Sequence, residues 1–227
     1  MDEIQNPHDQ FVRAVLSKPK LARDFLQNYL PPKVIEKLNL ATLKVTQESF
    51  VDEQLRQHHT DLIFRIKTNN NAKVFVYILL EHKSAPDSLV AFQLLRYIVR
   101  IWEKEKSKKL PPIIPMVLYH GRSRWTISRK FENLVENAPD FGEFIPRFDY
   151  EMIDLSASSE TEIKGQAMLQ VALSTLRHIF SPNIEKKLTE IFSLLKQSEE
   201  QSAVEFLGTV LRYLTAADDK VTEEDIR

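Results

Sequence analysis

An α/β fold is what this sequence predicts, on three observations. Apolar residues recur at three- and four-residue spacing over residues 9–30 and 89–105, short alternating or continuously apolar runs lie between and after these segments, and helical spacing returns beyond residue 163. The order is therefore helices, a β-meander, a helix, two further strands and a helical region.

Residues 9–30 (DQFVRAVLSKPKLARDFLQNYL) read as two short helices, because Pro19 interrupts the stripe and Pro31-Pro32 ends it. Leu43 to Asp52 and Asp61 to Thr68 alternate or are β-branched, and Ala72 to Lys83 is nearly continuously apolar, as in a central strand. The Asn69-Asn70-Asn71 tract is a hairpin turn signal. Leu89 to Glu105 carries a helical stripe, Ile113 to Tyr119 and Phe148 to Leu155 are further strands, and residues 163–181, 184–197 and 200–216 read as three helices. A polar tail, ADDKVTEEDIR, closes the chain.

With 227 residues and 43% hydrophobic composition, the chain can bury a substantial core as one large domain or a domain with an appendage. The absence of cysteine excludes disulfides and thiolate metal sites. No apolar run approaches the roughly 20 residues of a membrane span, and the acidic start lacks a basic stretch followed by an apolar one, so a soluble cytoplasmic protein is expected. Only four glycines occur, at 121, 142, 165 and 208, which excludes a Gly-rich phosphate loop and a dinucleotide fingerprint; Gly-X-Ser-X-Gly is also missing. His58-His59 has no partner ligands at zinc-binding spacing.

The net charge of −1 conceals a division. Residues 1–130 carry 22 basic and 13 acidic side chains, whereas residues 131–227 carry 9 and 19. A basic half beside an acidic half suggests a polyanion-binding surface next to a region that does not bind polyanions, although two solvated faces would give the same count.

The stretch VYILLEHKSAP runs five apolar residues into Glu81, His82 and Lys83. A three-residue hairpin loop Asn70-Asn71-Ala72 would set Asp61 opposite Glu81, with Lys83 on the same strand face. Two carboxylates so placed repel unless a cation lies between them, and oxygen-only ligands select a hard ion, Mg²⁺ or Mn²⁺. The peptide carbonyl of His82 could add a ligand, and Lys83 could orient or deprotonate a water. The plainer reading is a pair of surface charges marking where the buried strand stops.

Asp61 leading a strand, then Glu81-His82-Lys83 closing the next strand before a helix, resembles the PD-(D/E)XK nuclease core. More narrowly, NPHDQFVRAVLSKPKLARDFLQNYLP, ESFVDEQLRQHHTDLIFRIKT, VYILLEHKSAPD, AFQLLRYIVRIW and LPPIIPMVLYHG resemble the recombination-promoting nuclease and putative transposase family of bacteria, over residues 6 to about 155 and more loosely to about 215. The resemblance implies a PD-(D/E)XK restriction-endonuclease-like core, a mixed sheet flanked by helices, with a C-terminal helical region. It also implies a bacterial, Mg²⁺-stimulated DNA endonuclease linked to recombination and mobile elements. By position, Asp61 and Glu81 would be metal ligands and Lys83 the catalytic lysine. Gln93 and Tyr97, four residues apart on the helix after the motif, resemble a supporting element of exonuclease-like members, though Tyr97 also fits the apolar stripe. Asp52 could assist Asp61; Asp9 and Glu48 are further acids, better read as a helix N-cap and a solvated strand residue.

Arg96, Arg100 and Lys104 should share a helix face, and with Arg122 and Arg124 they would attract the DNA backbone without reading sequence. Trp125 would stack on an unpaired base or be buried, and His120 would contact phosphate or close a turn. The division expected is a nuclease-like domain over residues 1–155 and an acidic helical region over 156–227. The alternative is a catalytically inactive DNA- or protein-binding relative, and self-association is left open. The acidic helices could lie across the basic face or hold a partner chain.

Overall fold

Proline and apolar spacing set the first elements. The computed structural model describes residues 7–46, 61–81, 86–105, 108–181, 184–197 and 200–217. Helix α1 (Pro7–Leu16) and helix α2 (Pro19–Tyr29) are separated at Pro19, whose fixed φ suits the first turn of α2. Phe11, Val12, Val15 and Leu16 of α1 and Leu21, Ala22, Phe25 and Leu26 of α2 form the buried stripes. Asp9 lies inside the first turn of α1, where a carboxylate favours the positive helix end; it does not precede the helix as a cap. The single turn α3 (Pro32–Ile35) leads into the sheet.

Strand β1 (Leu38–Thr46) starts five residues before the sequence suggested. Its pairing shifts between Asn39 and Lys44, and Thr42 Oγ1 accepts the Lys67 N–H at 2.9 Å there. A side-chain oxygen thus replaces a lost ladder bond. Strands β2 (Asp61–Thr68) and β3 (Lys73–Glu81) complete an antiparallel meander. Helix α4 (Val90–Lys104) then crosses over to β4 (Ile113–Tyr119), which runs parallel to β3. A 3₁₀ turn (Phe131–Leu134) and the short helix α5 (Ala138–Phe141) precede β5 (Glu151–Asp154), which is parallel to β4. The sheet is mixed and five-stranded, in the order β1-β2-β3-β4-β5.

Strand parity divides the core. Leu62, Phe64, Ile66, Val74, Val76, Met116 and Leu118 pack on α1, α2 and the C-terminal helices α6 (Ala167–His178), α7 (Ile184–Ser193) and α8 (Glu200–Ala217). Ile63, Phe75, Val117 and Tyr119 face α4 and the segment around Phe131 and Tyr150. Phe206, Val210, Tyr213 and Leu214 of α8 are buried in the first cluster, so the acidic-half helices cover the sheet face opposite α4. They do not lie across Arg96 and Arg100. Among the described residues no helix is long and apolar enough to cross a membrane.

Candidate functional site

Three parallel strands, β3, β4 and β5, end at one edge of the sheet, and β2 begins there. Open α/β sheets bind ligands at such carboxyl ends, where loops rather than ladders hold the surface. The register sets Glu81 beside Tyr119 and Tyr119 beside Asp154, a row of three strand ends. Asp61 pairs with Leu79, not with Glu81. The shift has a local cause. The hairpin closes at Thr68 and Ala72, where the Thr68 N–H donates to the Ala72 carbonyl at 2.8 Å, and the loop is Asn69-Asn70-Asn71 with Asn71 at φ 68°. Asparagine tolerates that left-handed conformation and alanine does not, so the loop sits one residue earlier than expected and the register moves by two. A shift of two preserves parity: positions 61 and 81 are diagonal neighbours on the face that α4 covers. Asp52, His82 and Lys83 lie outside the described residues, as do Glu48, His58 and His59.

Helix α4 carries Gln93 and Tyr97 on its sheet side. Tyr97 is 1% exposed and packs with Ile63, Phe75 and Val117, while Gln93 is half-buried one turn nearer the helix start. Arg96, Arg100 and Lys104 are exposed, but α4 runs away from the site edge. Glu105, the next residue, takes the Lys73 ammonium at 3.2 Å at the opposite end of β3, and the Trp102 indole donates to the Pro111 carbonyl at 2.8 Å before β4 begins. Lys104 is therefore a strand's length from Glu81. Arg100 is engaged by Glu103 at 2.9 Å. Arg122 and Arg124, by contrast, follow β4 directly and stand at the site edge, with the Arg122 guanidinium 5.5 Å from the Phe180 ring centre.

Sequence reasoning did not single out Asp154. It is 8% exposed, its Oδ2 accepts the Trp125 N–H at 3.1 Å, and its Oδ1 accepts the Ser156 N–H at 2.8 Å. An acid at the carboxyl end of a strand, the place that Glu81 also takes, was the available signal. Asp154 ties together the loops after β4 and β5, which enclose a cleft of about 330 Å³ with Arg124, Trp125, Arg129 and Thr161 among its walls. Trp125 is half-buried, its indole N–H donating to the Ile127 carbonyl at 2.9 Å and its ring edge-on to Tyr119 at 4.9 Å. Burial pushes the neighbouring Tyr150 hydroxyl up to about 12, and it donates to the Ser128 carbonyl at 3.1 Å.

His120 is not a surface phosphate contact. It is 1% exposed on the other face, 4.9 Å from the His8 ring and stacked on Phe180 at 5.0 Å. His8 Nδ1 lies 2.6 Å from the Tyr213 hydroxyl, whose pKa burial raises well above its usual value. Among the described residues no cluster of three His, Asp or Glu residues is arranged to hold a metal.

The amino-acid sequence that folds this way is similar to known proteins. The family described as "Putative transposase, YhgA-like" matches residues 6–205. The chain belongs to this family. Among curated relatives, it is 38% identical over 119 residues to the recombination-promoting nuclease RpnD of Escherichia coli O157:H7, covering 51% of this chain and 45% of that protein. It is 34% identical over 122 residues to the recombination-promoting nuclease RpnA of Escherichia coli K12, covering 52% and 41%. The similarity also extends to an inactive recombination-promoting nuclease-like protein, RpnE, at 24% identity over 94% of this chain and 72% of the relative. The chain thus spans less than half the length of the first two relatives. No solved structure matches it.

Proposed function

We propose that the chain is a metal-dependent DNA endonuclease built on a PD-(D/E)XK core, hydrolysing phosphodiester bonds in connection with recombination or mobile elements. One observation carries the reading: the register brings positions 61 and 81 to the same face and the same edge of a mixed sheet, in a family whose relatives RpnD and RpnA are named nucleases. The donor chemistry fits a hard divalent ion, since two carboxylates and a peptide oxygen are the ligands that Mg²⁺ or Mn²⁺ takes. Asp61 and Glu81 would hold it, with the His82 carbonyl as a further oxygen. A bound ion supplies Lewis-acid polarisation of the phosphodiester. Lys83 orients the attacking water and offsets negative charge as it develops on phosphorus. Gln93 faces the same edge from α4 and positions substrate or ligands, while Tyr97 fixes the helix against the sheet. Arg122 and Arg124 hold the DNA backbone.

Plasmid nicking by purified protein in Mg²⁺, Mn²⁺ or EDTA tests this. Asp61→Ala and Glu81→Ala should each lose about 100-fold or more, because even the outer partners of a metal site are worth about 10–100-fold. Equal nicking by these variants and the parent would sink the assignment. The similarity to RpnE, named inactive and matched over 94% of this chain, supports a second reading in which the same edge binds DNA or protein without cleaving. Metal-independent DNA binding with no nicking in any metal would select it.

A further inference from the structure

We propose that the cleft between the loops after β4 and β5 is a subsite for one unpaired nucleotide of the DNA strand, with its phosphates against Arg124 and Arg129 and its base against Trp125. The proposal rests on DNA as the ligand named above, and it adds a place and a strand preference.

The cleft adjoins the site edge. Asp154 lines it and ends β5 in the row that contains Tyr119 and Glu81. Its two lips are held in advance. Asp154 fixes the Trp125 backbone on one side and the Ser156 backbone on the other, and the Arg177 guanidinium donates to the Thr161 carbonyl at 2.6 Å behind the second lip. Walls held in advance lower the ordering cost of binding.

The chemistry of the lining is divided. Arg124 and Arg129 are both exposed, and among the described residues neither belongs to an ion pair, so one lip offers two uncommitted guanidiniums. Glu160, Ser159 and Thr161 on the other lip offer a carboxylate and hydroxyls, with Ser159 Oγ donating to Thr161 Oγ1 at 2.9 Å. A carboxylate there disfavours a second phosphate but can accept from a base edge. Trp125 and Met152 supply the apolar wall between. A ligand with an anionic end, a flat apolar face and a hydrogen-bonding edge matches this division, and a nucleotide has all three.

Size selects an unpaired one. At about 330 Å³ the cleft lies at the small end of the roughly 300–1,000 Å³ range of ligand sites. A base still in the duplex must leave its stack to enter, whereas one in a single strand or a mismatch is already free.

The test is the fluorescence of the protein in EDTA, titrated with a short oligothymidylate and with the same strand annealed to oligodeoxyadenylate. Quenching by the single strand, weaker with the duplex and absent in Trp125→Phe, is expected, with affinity about tenfold lower in Arg124→Ala/Arg129→Ala. Because both arginines are exposed, the double variant should melt with the parent. No quenching, equal quenching by duplex, or unchanged affinity in the double variant would overturn the subsite. Plasmid nicking of the same preparations reads the enzyme assignment separately. Nicking without quenching removes the subsite alone; quenching without nicking removes the enzyme and leaves the subsite.

Discussion

Tyr150 shows how a single buried side chain makes stability depend on pH. Its hydroxyl is hydrogen-bonded and pushed up to about 12 by burial, and Tyr29 and Tyr213 are raised by the same cause. The unfolded chain loses these protons near 10 while the folded chain keeps them. Their contribution is therefore complete below pH 10 and is lost as pH rises toward 12. Thermal melts should show the midpoint falling across that window, and Tyr150→Phe should reduce the fall. A midpoint independent of pH between 10 and 12 would contradict the burial described for these hydroxyls. Asn71 makes the other residue-scale case. At φ 68° it sets the loop that fixes the β2–β3 register, so Asn71→Ala should cost about 1–2 kcal/mol in denaturant unfolding. Asn71→Gly should cost less, since glycine has no Cβ to strain. Equal effects of the two changes would mean that the loop is held by something other than this conformation.

Helix α4 and the loop after β4 carry the basic side chains that the sequence grouped together, and their directions separate them. Arg122 and Arg124 stand at the carboxyl edge, whereas Lys104 is beside Glu105 and Lys73 at the opposite end of the sheet. DNA held at the edge proposed above should therefore contact the first two and not the third. The salt dependence of DNA binding reads this directly, since each phosphate contact adds about 0.9 to the slope of log affinity against log salt. Arg122→Ala/Arg124→Ala should lower the slope by about 2, and Lys104→Ala should leave it unchanged. A reduced slope in Lys104→Ala would mean that the DNA track runs along α4 instead. The four-residue spacing of Arg96, Arg100 and Lys104 correctly placed them on one helix face. Spacing carries no information about which end of a helix lies at which end of a sheet.

Across the whole molecule, two apolar clusters on opposite faces of one sheet decide which parts stand together. The sequence suggested a nuclease-like domain to residue 155 and an acidic helical region beyond it, and one apolar cluster spans that position: Leu169, Leu173, Leu188, Phe206 and Leu214 share it with Phe64, Val76 and Leu118. Phe206, 1% exposed, bridges α8 to this cluster, and Phe206→Ala should cost about 3–5 kcal/mol in denaturant unfolding. A loss below about 1 kcal/mol would show that α8 is only loosely seated. By itself the sequence determined the element order, the extents of β2 and β4 and the family, because periodicity, turn residues and motif order are local and survive without contacts. Register, the partners of each face and the meeting of Asp154 at the end of β5 with Trp125 and Arg129 of the loop after β4 were decided by tertiary structure. A backbone hydrogen bond at Thr68 and Ala72 chose the pairing, and burial of both sheet faces brought residues distant in sequence to one edge.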